Sequence, residues 1–254
     1  ALARGNIGDD YKTIQTLYEK AYELAPNNTD VVNLYGDFLV VVGDFTAAER
    51  MEQKAIDLDP LAAVHYSDMA FLMFMTGRIE EGLNFGRTSA KLEPGSVVRV
   101  DPLVTGLMLS GEYDEATQVI SHFEQKPESY ADLTNWWWCL LYYQQDNERK
   151  LREHLAYRIE DYNSGRKEFD FVYTAFFIAW LDGPTAALPM LREAFDEHEW
   201  LLAWPEYFYL PQQYSDDPEW LAFWQQPPLG ELVELRRSHQ PLERVGYWKD
   251  RQQP

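Results

Sequence analysis

Pro26, Pro60 and Pro94 follow one another at intervals of 34 residues, and nothing else in the chain limits its fold so tightly. Gly43, Gly77 and Gly111 keep the same interval, as do Ala48, Gly82 and Ala116, and as do the small residues Ala21, Ala55 and Ser89. Four kinds of residue in one shared period describe a helix–turn–helix unit stacked repeatedly along an axis. Each kind has its own task. Proline lacks an N–H and clashes with the preceding turn, so it ends the second helix of a unit. It also pushes the residue before it out of α geometry. Glycine lets the chain leave the first helix at positive φ. The small residues stand where two helices cross too closely for a larger side chain.

The expected architecture is therefore an all-α solenoid of stacked antiparallel helix pairs with an aromatic-rich C-terminal cap. Residues 1–8 read as the tail of a first helix. Asp9 and Asp10 open the next, whose apolar face is Tyr11, Ile14, Leu17, Tyr18, Ala21 and Leu24 at helical spacing. Asn27-Asn28-Thr29-Asp30 is capping chemistry for the helix that follows. Helices are expected over Val31–Val42 and Thr46–Asp57, Leu61–Thr76 and Ile79–Leu92, then Val97–Ser110 and Glu112–Gln125. Past Pro127 the strict period lapses while the rhythm of pairs persists: Tyr130–Gln144 with Glu148–Tyr162, then Glu168–Leu181 with Thr185–Glu197. Residues 1–126 thus form regular repeats and residues 127–199 degenerate ones. Residues 200–254 form a capping segment, where nine aromatic residues between Trp200 and Trp224 are punctuated by Pro205, Pro211 and Pro218. Asp217-Pro218-Glu219 starts a short helix, and Leu229–Ser238 forms a last amphipathic one.

Tyr35-Gly36, Leu39, Gly43-Asp44-Phe45, Ala48, Ala55 and Pro60 resemble the tetratricopeptide repeat family. The unit from Ala63 to Pro94 keeps Ala70, Gly77, Gly82 and Pro94, with Gly86 where the family prefers an aromatic or apolar residue. A third keeps Gly111-Glu112-Tyr113-Asp114-Glu115-Ala116. The resemblance implies a module that binds a protein or peptide on the concave face lined by first helices. One subclass grips the C-terminal carboxylate of chaperone peptides with Lys, Arg and Asn on these helices. Here Asn33 is compatible with that clamp, but Asp37, Ser67, Phe71 and Asp101 are not basic. More narrowly, Lys54-Ala55-Ile56-Asp57-Leu58-Asp59-Pro60-Leu61 and the later Asp217-Pro218-Glu219-Trp220 are similar to repeat regions that end bacterial multidomain regulators. There a winged-helix or cyclase domain precedes the repeats, and the start of this chain without Met agrees with an upstream output domain.

Charge narrows the partners. With 42 acidic against 22 basic residues the formal net charge is −20. Nucleic acid needs clustered Lys and Arg, so it is not expected as a partner of this segment, and neither is an anionic membrane surface. No apolar run approaches the roughly 20 residues of a membrane helix. The expected setting is cytoplasmic, or periplasmic if the parent protein is membrane-anchored. Cys139, the single cysteine, sits in the apolar run Trp136–Leu141 and reads as an inert core thiol.

No chemistry emerges from the titratable residues. His65, His122, His154, His198 and His239 are scattered without metal-ligand spacing, and the glycines belong to turns rather than to a phosphate loop. Neither a cofactor nor a catalytic group is expected. The binding candidates are first-helix positions not needed for the core: Asn33, Asp37 and Val40; Ser67, Phe71 and Phe74; Asp101, Thr105 and Met108; Asn135, Tyr142 and Tyr143. For Phe71, Phe74 and Tyr142 a core position is the competing reading. A groove carrying Asp37 and Asp101 suits a basic or apolar peptide, or a second copy of the chain. Two further readings stand beside it: self-association through the aromatic end, and small-ligand sensing between Trp136–Trp138 and the Trp200–Trp224 block.

Overall fold

The computed structural model describes residues 11–125, 131–164, 171–197, 200–203 and 216–239, all in helices and the turns between them. The expected helix tail at residues 1–8, Asp9 and Asp10, and the aromatic run from Trp204 to Tyr214 lie outside the described residues. The helices are α1 (Tyr11–Leu24), α2 (Thr29–Val41), α3 (Phe45–Leu58), α4 (Ala63–Met75), α5 (Ile79–Leu92), α6 (Val97–Leu109), α7 (Tyr113–Glu124), α8 (Ala131–Gln144), α9 (Glu148–Asn163), α10 (Phe171–Asp182) and α11 (Pro184–Asp196). A 3-10 turn follows at Trp200–Ala203, then α12 (Pro218–Gln225) and α13 (Leu229–His239).

The repeated turn is one hydrogen-bonded device used three times. Gly43, Gly77 and Gly111 have φ of 84°, 75° and 79°. Each N–H bonds the carbonyl three residues back, and the next residue's N–H reaches the carbonyl five residues back: Gly43 to Val40 and Asp44 to Leu39, and likewise in the other two turns. This C-terminal cap satisfies carbonyls the helix itself leaves open. The same pair of bonds recurs without glycine at Asp146 to Tyr143 and Asn147 to Tyr142, with Asp146 taking the left-handed conformation at φ 55°. The expected N-caps Asn28 and Asp217 accept the N–H groups of Val31 and Trp220, and Asp44 caps α3 by accepting the N–H of Ala47.

Small residues sit where required. Ala48, Ala55 and Ala116 are fully buried. A Cβ on Gly82 would stand 2.4 Å from Phe74 Cε1 and 2.9 Å from the Ala70 carbonyl oxygen. Ser89 joins three helices, its hydroxyl lying 2.8 Å from Ser67 Oγ and donating to Ala63 or Arg99 carbonyls at 3.1 and 3.0 Å.

Consecutive first helices touch, α2 with α4, α4 with α6 and α6 with α8, whereas contacts between second helices are slight at most. That inequality curves the stack, with first helices inside and second helices outside. In the degenerate pairs Ala187 and Ala194 of α11 are still fully buried, and aromatic rings join the first helices α8 and α10. Trp136 packs on Tyr173 and Phe177 at 4.2 and 5.2 Å, and Tyr143 meets Trp180 edge-on at 4.9 Å. The α12 helix packs against α11, burying Trp220 and Trp224 beside Phe176. Then α13 does something not foreseen: Leu232, with the half-buried Leu235 and with Ala203 of the 3-10 turn, joins a second core cluster with Tyr11, Ile14, Phe38 and Val42 of the N-terminal end. The curved stack closes upon itself.

Candidate functional site

The concave face at the joint between α2, α3 and α4 is built around an acidic residue in an apolar place. Glu52 lies on the inward stripe of α3, one turn past Ala48 and just before Ala55, and is 1% exposed. Its two oxygens have no hydrogen-bond partner. Room for it exists because Gly36 of α2 has no side chain: a Cβ there would stand 2.1 Å from Glu52 Oε1. In the 34-residue register Glu52 is followed by Gly86 and Ile120, so its position is otherwise a packing position.

Three polar residues of the first helices surround this joint. Asn33 Nδ2 donates to Asp68 Oδ2 at 2.9 Å, tying α2 to α4. Asn33 is 8% exposed, while Asp37 and Asp68 are partly exposed. Burial, then the charges of Asp68 and Asp37, push the Glu52 carboxyl well above the ordinary 4.5. Burial likewise raises Asp68 to about 6 against its bond from Asn33 and the charge of Arg99, both of which pull it down. Desolvation favours the neutral acid wherever no cation offsets it.

One pair further along, Asp101 is partly exposed and engaged by Trp137, whose Nε1 donates to Oδ1 at 2.6 Å, with Thr105 Oγ1 at 3.5 Å. Burial raises Asp101 to about 6, opposed by those two bonds. Its carboxylate clasps α8 to α6.

The structure separates the remaining expected groove residues. Val40, Ser67, Thr105, Met108 and Tyr143 are buried at 5% exposure or less, which corrects their placement on an open surface, while Phe74 and Tyr142 are buried as the competing core reading has them. The reason differs by residue: Phe74 fills the space Gly82 and Gly106 leave, Ser67 is held by Ser89, and Tyr142 lies against Trp138 and His154. Phe71 stays half-buried, edge-on to Phe74 at 6.1 Å, and Asn135 is half-buried with Nδ2 enclosed. Asp37, Phe71, Asp101 and Asn135 thus remain on the accessible part of the inner face, whereas Asn33 is as buried as Tyr142 and lies beneath it. Glu52 and Asp68 were not among the sequence candidates. A glutamate between Ala48 and Ala55 on an apolar stripe was the available signal.

Of the expected aromatic pocket, residues 204–215 lie outside the described residues, and the described rings pack on one another. Trp136 and Trp137 are buried against Tyr173, Phe177 and Phe123, and Trp220 and Trp224 against Phe176. A cavity of about 660 Å³ lies elsewhere, lined by Lys12 of α1 and by Glu231, Glu234 and Leu235 of α13. Burial pushes the Cys139 thiol up to about 12. Among the described residues no three acidic, histidine or cysteine side chains converge as metal ligands do, and no helix is long and apolar enough to cross a membrane.

No family model matches the chain, and no curated protein does. Among solved structures it is similar to the MamA protein, at 17% identity over 63% of this chain and 88% of that one, with a TM-score of 0.46. The structure of Naa15/Naa10 bound to HypK-THB shares 15% identity over 90% of this chain and 36% of that one, with a TM-score of 0.41. The P58(IPK) TPR domain shares 15% over 91% and 62%, with a TM-score of 0.34. This chain thus spans under two thirds of the latter two. Its own repeated glycine turns, its small crossing residues and its chain of first-helix contacts define the fold: a tetratricopeptide-like α-solenoid of stacked antiparallel helix pairs.

Proposed function

We propose that the chain is a non-catalytic interaction module that takes a partner protein or peptide on its inner, first-helix face, as part of a larger bacterial regulatory protein. One observation carries the reading: the two faces handle charge differently. The outer helices and turns pair their acids with arginine, as in Arg78 with Glu49 and Glu81, Arg87 with Glu112 and Glu115, and Arg152 with Glu148 and Asp182. On the inner face neither Asp68 nor Asp101 forms an ion pair among the described residues, although burial makes each costly to ionise. Carboxylates whose burial no ion pair offsets are a standing destabilisation that a cationic or donor-rich partner would relieve. The regulatory setting draws support from the resemblance of Lys54–Leu61 and Asp217–Trp220 to repeat regions of bacterial regulators.

Site-specific photo-crosslinking in the intact parent protein tests it. A crosslinker at Asp37, Phe71 or Asn135 is expected to trap a partner, while one at Glu115 or Glu153 on second helices is not. Crosslinks from the outer positions alone would overturn the reading.

A further inference from the structure

We propose that the inner-face patch of Asp37 and Asp68, with Asn33 and Glu52 buried behind it, receives an arginine side chain of the partner; the inference rests on the inner-face reading above and adds the chemistry that would be recognised. Behind the partly exposed acids of the two first helices lies the Glu52 carboxylate, with 1% exposure and two unpartnered oxygens. An uncompensated buried acceptor is expensive to retain in a packing position, since the register neighbours Gly86 and Ile120 show that an uncharged residue serves there. Gly36 preserves the space for it.

The occupant follows from the arrangement. The acids come from three different helices and do not converge on one point as ligands of a metal ion would. A planar guanidinium, with five N–H donors spread over a fork, can address two separated carboxylates at once, which an ammonium does as a point charge only. Asn33 already donates to Asp68 Oδ2, so it orients that carboxylate for an incoming donor. In this arrangement Asp37 and Asp68 are the contacting groups. Glu52 acts from behind, adding negative field in a poorly solvated place where it is weakly screened. The charges facing Glu52 are Asp37 from α2 and Asp68 from α4, with the charge of Arg99 of α6 acting on Asp68.

A cation at this patch favours the ionised form of Glu52 and Asp68, so its arrival expels protons. Calorimetric titration of the full chain with the peptide Ac-Gly-Gly-Arg-Gly-Gly-amide, run at pH 6.5 in two buffers of different ionisation enthalpy, reads affinity and proton release together. The same peptide with citrulline, a neutral isostere of arginine, is expected to bind at least about tenfold more weakly, the loss of one charge-assisted contact set. Glu52→Gln should weaken the arginine peptide several-fold and diminish proton release, with the folded state verified by circular dichroism. Equal binding of the arginine and citrulline peptides would overturn the proposal without any variant being needed. Equal binding of a lysine peptide would overturn the guanidinium assignment. Partner crosslinks from Asp37 or Phe71 that persist when the partner's arginines are replaced would sink this inference and leave the inner-face reading standing.

Discussion

Arg236 of α13 donates through Nε to the carbonyl oxygen of Val41 at the end of α2, at 2.7 Å and across 195 residues of sequence. Its Nη2 also donates to the Ala203 carbonyl, and the side chain is only 2% exposed. One guanidinium therefore satisfies carbonyls of two segments and pins the last helix to the first complete pair. His239 of the same helix brings Nδ1 within 3.7 Å of Asp44 Oδ2.

Replacing Arg236 by Met keeps much of the apolar stem and removes the fork. Two carbonyls then lose their donor in a dry seam, at a cost of about 1–3 kcal/mol. Hydrogen exchange should quicken in α1, α13 and the last turn of α2, with α4 to α7 unchanged. A uniform loss of protection over all helices would contradict a local seam.

Acidification should stabilise this protein over a window where most proteins weaken. Asp68 and Asp101 titrate at about 6 in the fold against an ordinary 3.8, and Glu52 is raised as well. Between those values the folded chain holds protons the unfolded chain has released, so stability falls as pH rises through the window. Thermal melts at pH 5.5 should exceed those at pH 7.5, and about 1 kcal/mol corresponds to roughly 2–4 °C at this size. Glu52→Gln should raise the midpoint at pH 7.5 and flatten the slope. A midpoint that climbs with pH in the wild type would refute the assignment.

Gly86 should be less replaceable than Gly82. A Cβ on Gly82 meets the Phe74 ring and a single backbone atom, the Ala70 carbonyl oxygen at 2.9 Å. A Cβ on Gly86 meets the Pro102 carbonyl carbon and oxygen at 2.8 Å and the Leu103 nitrogen at 2.9 Å, all backbone. Gly82→Ala is expected to cost about 1–3 kcal/mol and Gly86→Ala at least as much, measured by urea unfolding, because α5 and α6 must separate to accept it. A smaller loss at Gly86 would show that α6 yields there.

Cys139 should resist alkylation. With its thiol pushed up to about 12 and its side chain buried, almost no thiolate exists at pH 8. Iodoacetamide should modify it only after denaturation, as mass spectrometry would reveal. Rapid labelling of the folded chain would mean that α8 opens readily.

The repeat core was legible because its constraints are local. A turn needing positive φ asks for glycine, and a close crossing asks for alanine, glycine or serine, so Gly43, Gly77, Gly82 and Ser89 announced themselves by interval alone. Two features were not local. Gly86 stands in the register of Glu52 and Ile120 because the backbone at Pro102 comes close to it, and that proximity is visible only once α5 and α6 are assembled. The groove residues failed similarly: burial of Ser67, Thr105 and Met108 depends on how far neighbouring first helices lean together, which the period does not encode. Glu52 was readable as an oddity on its stripe, but its lack of a partner was not.

Open helical arrays gain or lose units during evolution with little penalty, since every unit meets only its neighbours. Here the seam between α13 and α2 removes that freedom. Duplicating or deleting one hairpin would swing the terminal helix by a whole unit's rotation and carry Arg236 away from Val41. The number of hairpins between these two points is therefore fixed by the geometry of closure.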